Sequence, residues 1–113
     1  MRNDHVPLHY LVSGRWPDPD VRLSADAPLS AHYGLAVARR LSHALDARSM
    51  SQRQLADSST VGRTTIRRIL EGMVLPDLGT LARLEAALDI DLYPAGLYRE
   101  IPPLRTPGTD RNQ

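Results

Sequence analysis

The sequence predicts an all-α fold, a small helical bundle, and three observations lead to this prediction. The chain has 113 residues, the size of a single domain. Its hydrophobic content is 42%, yet it has no Phe, one Trp and four Tyr, so a core must be built from Leu, Ile, Val and Ala. That set of side chains suits helical bundles better than β-sandwiches. Between residues 34 and 92, apolar residues also recur at helical spacing.

Both ends of the chain are rich in proline and differ from this body. Residues 1–33 are predicted to be an N-terminal extension, because prolines interrupt any helix there and short apolar runs at 8–12 and 21–23 favour strands or an extended arm. Two arrangements are open: the arm pairs as a strand with the arm of a second copy, or it packs over its own bundle. Residues 99–113 are predicted to be a C-terminal tail, poorly ordered unless it docks on a partner.

The body, residues 34–98, begins with two predicted helices. The first runs from about Ala31 to Ala47, where Leu and Ala repeat at helical spacing. Ser49 or Ser51 can cap the second, which spans roughly 51–58 and turns Leu55 and Ala56 inward.

A third helix is predicted from about Gly62 to Leu70, and it buries Ile66, Ile69 and Leu70. Gly72 suits its C-terminal cap, where a positive φ is needed. The fourth helix opens at Pro76-Asp77, repeats leucine at 78, 81, 84 and 88, and is closed by Asp89.

The third helix carries four polar residues on one face: Arg63, Thr64, Arg67 and Arg68. Their spacing places them opposite the apolar residues of the same helix. An arginine fork matches O6 and N7 of guanine and is worth roughly 1–3 kcal/mol against the wrong base. The net charge is only +1, yet the stretch 48–68 sets five arginines (Arg48, Arg53, Arg63, Arg67 and Arg68) against Asp57. Such local basicity is typical of nucleic-acid contact.

Several classes of protein are not expected. Without cysteine there is no disulfide or thiolate chemistry, and no apolar run approaches a membrane span of roughly 20 residues. The N-terminus lacks the pattern of a secretory signal, so we expect a soluble, cytoplasmic protein. Paired carboxylates near a pocket, a phosphate-binding glycine loop and a nucleophile elbow are all missing, so no enzyme and no cofactor is predicted. His5 and His9 have no third ligand nearby, so no metal is expected either.

Residues 51–92 resemble the Cro/repressor-type (XRE-like) helix-turn-helix family. The matching residues are Ser51-Gln52, Leu55-Ala56, Val61, Arg63-Thr64-Thr65-Ile66, Arg68-Ile69, Glu71-Gly72, Pro76, Leu81, Leu84, Ala87 and Leu88. The resemblance implies a five-helix, lambda-repressor-like bundle that binds operator DNA, usually as a homodimer. It also implies that Gln52 contacts phosphate, that Arg63, Thr64 and Arg68 face the major groove of double-stranded DNA, and that Arg67 reaches phosphate.

The chain departs from the family pattern at three places. Thr60 stands where the family usually has glycine, so either Thr60 takes a strained positive φ or Gly62 absorbs the unusual dihedral angle. Gly62 itself replaces the usual Ser or Thr cap. The loop 73–75 is apolar where Lys and Arg are common. It either packs, in a dimer interface or under the N-terminal arm, or faces solvent.

These observations predict a sequence-specific DNA-binding transcriptional regulator, a repressor that acts as a homodimer at the nucleoid and blocks its operator sterically. The alternative is a protein-interaction module, such as the antitoxin of a toxin–antitoxin pair. Such a protein would bind a protein partner through its N- or C-terminal arm and would bind DNA for autoregulation.

Overall fold

The protein is mostly helical in its described part, residues 6–102 of a computed structural model. The four helices are α1 (Leu29–Ala47), α2 (Gln52–Ser59), α3 (Arg63–Leu70) and α4 (Leu78–Leu88). Two short strands, β1 (Leu11–Ser13) and β2 (Arg22–Leu23), precede them, and 3₁₀ turns occupy Pro7–Tyr10 and Leu97–Glu100. The predicted helical bundle is confirmed. His5 and most of the predicted C-terminal tail lie outside the described residues.

The number of helices differs from the five that the family resemblance implied, because residues 6–102 contain four α-helices. Asp89 takes a left-handed conformation with φ 55° and ends α4. Pro94 then removes an amide donor and Gly96 has φ 79°, so the chain forms only a 3₁₀ turn after them. The prediction of a fifth helix is wrong for this part of the chain, and the strands make the fold less than purely helical.

One apolar core joins the four helices. Each contributes a side chain that is 0% exposed: Leu41 from α1, Leu55 from α2, Ile66 from α3 and Leu84 from α4. Ala56 is only half-buried but packs against the same cluster. Because every helix is anchored in this core, the outer face of α3 is presented from a packed scaffold.

Side-chain caps fix the starts of α2 and α4. Ser51, rather than Ser49, caps α2: its Oγ accepts from the Gln54 amide at 3.0 Å, and Gln54 Oε1 accepts from the Ser51 amide at 2.8 Å. This reciprocal pair is a capping box. Asp77 caps α4 by accepting from the Thr80 amide at 2.7 Å, and that hydrogen bond lowers the pKa of Asp77.

The described part of the N-terminal arm, residues 6–28, packs over its own bundle, which is one of the two arrangements that the sequence leaves open. Strands β1 and β2 pair antiparallel, as expected for a strand-forming arm. Arg39 of α1 donates to the carbonyl oxygens of Pro17, Asp18 and Pro19 at 3.0–3.2 Å. These bonds tie the loop between the strands to the first helix.

The turn between α2 and α3 contains a strained residue. Thr60 has φ 61° and ψ 17°, the left-handed region that β-branched residues rarely adopt, whereas Gly62 has an ordinary φ of −59°. Of the two alternatives for this turn, strain at Thr60 is the one observed. The buried Ser59 supports the turn, because its Oγ accepts from the Val61 amide at 3.1 Å.

Relief of that strain should stabilise the protein. We expect Thr60→Gly to raise the free energy of unfolding by about 0.5–1 kcal/mol, since the strain removed exceeds the added entropy of the unfolded chain. Urea denaturation measures the change. Ser58→Gly is the control, because Ser58 lies inside α2 and glycine there should cost about 0.5 kcal/mol. Equal losses in both variants would contradict strain at Thr60.

Candidate nucleic-acid interface

Helix α3 has one buried face and one exposed face. Ile66 and Ile69 are 0% and 1% exposed and anchor the helix in the core. The other side carries four exposed residues, which we call the basic face: Arg63, Thr64, Arg67 and Arg68. The structure thus brings together on one surface the four residues of α3 that the sequence singled out.

The arginines of the basic face have no partners within residues 6–102. None of the three guanidinium groups makes a hydrogen bond or an ion pair there. Arg39 and Arg40 of α1, in contrast, donate to backbone carbonyl oxygens, Arg40 to that of Tyr93 at 3.0 Å. A guanidinium group has five donors, so the basic face has bonding capacity left for a partner.

Arg48 does not belong to this surface, although it falls in the basic stretch of the sequence. Its guanidinium donates to Leu88 O at 2.8 Å and Ala44 O at 3.3 Å. The Leu88 carbonyl group lies at the end of α4, where an intrahelical partner is missing, whereas Ala44 O also accepts from the Arg48 amide at 3.2 Å. Arg48 therefore joins the ends of α1 and α4.

Arg53 is an exposed arginine near α3 in the sequence that was not among the predicted DNA-binding residues. It is exposed on the first turn of α2, and its guanidinium has no partner among the described residues. The count of arginines in the stretch 48–68 was the one signal that included it. Gln52, the preceding residue, is half-exposed at the first position of α2. No hydrogen bond joins Gln52 to the basic face.

The two ends of α3 are held differently. Gly62 at the N-cap offers no side-chain hydrogen bond. At the other end, Gly72 has φ 76°, and the Met73 amide donates back to Arg68 O at 2.9 Å. This is the pattern of a Schellman motif, in which a left-handed glycine closes the helix.

The apolar loop 73–75 lies under the N-terminal arm, as one of the sequence alternatives proposed. A Cβ on Gly34 would be 2.8 Å from Pro7 Cγ and 2.9 Å from Leu75 Cδ2, so the arm, α1 and the loop are in close contact. Val74 packs against the core, while Met73 is 40% exposed. The loop therefore serves packing and offers no basic side chain to a nucleic acid.

The described residues carry little sign of other chemistry. Across positions 6–102, no three His, Cys, Asp or Glu side chains are grouped so that they could hold a metal ion. Within the same residues, the helices are too short or too polar to cross a membrane.

Two helices are joined by a tight turn, and the second is anchored in the core and exposes arginines that are unpaired within the described part of the chain. This arrangement defines a DNA-binding domain of the helix-turn-helix class. Residues 38–93 match the family model described as Helix-turn-helix. The chain therefore belongs to the Cro/XRE-like helix-turn-helix family, whose domains serve DNA-binding transcription regulators. No curated protein and no solved structure matches the chain significantly.

Proposed function

We propose that this protein binds a specific operator through the basic face of α3 and represses transcription by occluding that site. One observation carries the proposal: Arg63, Arg67 and Arg68 are exposed, without partners among residues 6–102, on a helix that Ile66 and Ile69 fix in the core. A helix presented in this way fits the width of the major groove. Acting on DNA, the protein works in the cytoplasm at the nucleoid.

The residues of the interface take different parts in this proposal. Arg63, Thr64 and Arg68 contact base edges, and the two arginines select guanine because their forks match O6 and N7. Arg67 contacts phosphate, as do Gln52 and Arg53 at the start of α2. Unpaired backbone amides at a helix N-terminus favour phosphate as well.

We propose further that two copies bind together as a homodimer. An exposed apolar surface between α1 and α4 supports this: Leu78 is 79% exposed beside a cleft of about 250 Å³ that includes Tyr33, Val37 and Tyr93. Exposed apolar patches mark interaction surfaces. A twofold pair would present its two α3 helices to half-sites about one helical turn apart.

Salt dependence tests the assignment of Arg67 to phosphate. We expect Arg67→Ala to reduce the slope of log affinity against log salt by about 1, because one fewer counterion is released on binding. Fluorescence anisotropy with a labelled random-sequence duplex measures this slope. Arg83→Ala, which removes an exposed arginine of α4, is the matched control and should leave the slope unchanged. If the unmodified protein fails to bind DNA at low salt, the proposed function itself is contradicted.

A further inference from the structure

The N-terminal arm touches the polypeptide at the point where α3 ends. A Cβ placed on Gly72 would lie 2.6 Å from Trp16 Cε2, 2.8 Å from Cδ2 and 2.9 Å from Nε1. The indole ring therefore lies directly against the Gly72 backbone, with no room for a side chain between them. Gly72 is buried beneath this ring.

A second contact from the arm reaches the same residue. The Leu8 amide donates to Gly72 O at 2.8 Å. Gly72 therefore accepts a hydrogen bond from the arm and also packs against the Trp16 ring, although both arm residues precede it by more than fifty positions. Trp16 Nε1 is buried without a hydrogen-bond partner among the described residues. Trp16 therefore contacts Gly72 by packing of its indole ring and not through its N–H group.

These contacts matter because α3 is short and its start is weakly held. The helix spans Arg63–Leu70, and Gly62 gives no side-chain cap. A helix of two turns has little stability of its own, so its orientation depends on the core and on its C-terminal end. The Met73 amide donates to Arg68 O at 2.9 Å. This hydrogen bond links the residue that follows Gly72 directly to a residue of the basic face.

We propose that residues 6–28 of the arm act as a clamp that positions α3, with Trp16 as a positioning residue for DNA binding. This inference rests on the proposed function. The family match covers residues 38–93, so the clamp lies outside the matched domain. The docked arm holds α3 in the orientation that binds operator DNA, so docking strengthens DNA binding. Because coupling between two sites is reciprocal, DNA binding strengthens docking of the arm by the same factor.

The test uses the full chain and two DNA probes, a duplex enriched from a randomised pool by the unmodified protein and a duplex of random sequence. We expect Trp16→Ala to weaken binding to the enriched duplex about tenfold, a typical coupling, with little change for the random duplex. Trp16→Phe should restore binding, because phenylalanine keeps an aromatic ring and the indole N–H makes no hydrogen bond to residues 6–102. Val12→Ala, at an exposed position of the same arm, is the control.

A second measurement needs no variant and therefore stands even if Trp16→Ala does not fold. By reciprocity, saturating the unmodified protein with the enriched duplex should slow hydrogen exchange of the Leu8 amide several-fold. An unchanged Leu8 exchange rate would overturn the clamp. So would a folded Trp16→Ala protein that binds the enriched duplex normally, or a Trp16→Phe protein as weak as Trp16→Ala. If the unmodified protein enriches no duplex, the failure lies in the proposed function and not in the clamp alone.

Discussion

Replacing Arg63 and Arg68 together by alanine is expected to weaken binding to the operator about a hundredfold or more. Each bidentate contact to guanine is worth roughly 1–3 kcal/mol, and about 1.4 kcal/mol corresponds to a tenfold change in affinity. Both side chains are exposed and have no partner within residues 6–102. The thermal midpoint should therefore stay within about 4 °C of the unmodified value, because two surface substitutions change the free energy of unfolding by at most about 1 kcal/mol. Anisotropy titrations and thermal melting measure the two quantities.

Two controls separate base recognition from loss of charge. Arg83→Ala together with Arg22→Ala removes the same charge from exposed positions outside α3, and affinity should fall far less. Arg63→Ala alone should relax the base preference at one position of each half-site. If the control pair loses as much affinity as the Arg63 and Arg68 pair, the basic face acts through charge only and the proposed base contacts are contradicted.

Replacing Gly72 by alanine is expected to lower the free energy of unfolding by about 2–5 kcal/mol. A side chain at a positive φ costs about 1–2 kcal/mol, and φ is 76° here. Overpacking typically adds about 1–3 kcal/mol, and the new Cβ would lie 2.6 Å from Trp16 Cε2. Either the indole ring moves away or the end of α3 shifts. Urea denaturation measures the loss.

Gly79 provides the matched control for this substitution. It lies in α4, its φ is not positive, and a Cβ there would come no closer than 3.7 Å to its neighbours. Gly79→Ala should therefore be neutral or stabilising by up to about 1 kcal/mol. In a Trp16→Ala background, the added Gly72→Ala substitution should cost only the part that comes from the positive φ, because the ring that the new Cβ would meet is gone. Unfolding of Gly72→Ala at the same urea concentration as the unmodified protein would contradict the packing described for the arm.

The sequence predicts the helical body well because local chemistry determines it. The spacing of Leu and Ala locates α1 and α4. Ser51 and Asp77 mark the starts of α2 and α4, because Ser and Asp are preferred N-cap residues. The two faces of α3 follow from the positions of Ile66 and Ile69 alone. Helices, caps and helix faces, which depend on residues close together in the chain, could thus be predicted from the amino-acid sequence.

The remaining features depend on contacts between distant segments. Arg39 and Arg48 look like free surface charges in the sequence, yet each donates to backbone carbonyl groups, which have no residue-type signature. The contact of Trp16 with Gly72 has no pattern of spacing that would reveal it. At Thr60 the sequence identifies the problem, and only the dihedral angles show that the strain is real.

Selection from a randomised pool tests the central claim most directly. The unmodified protein would be mixed with random duplexes at about physiological salt, and the bound fraction sequenced. The account predicts a palindrome whose half-site centres lie about one helical turn apart and whose half-sites contain guanines for Arg63 and Arg68. No enrichment by a folded sample would contradict sequence-specific binding and favour recognition of a protein partner instead.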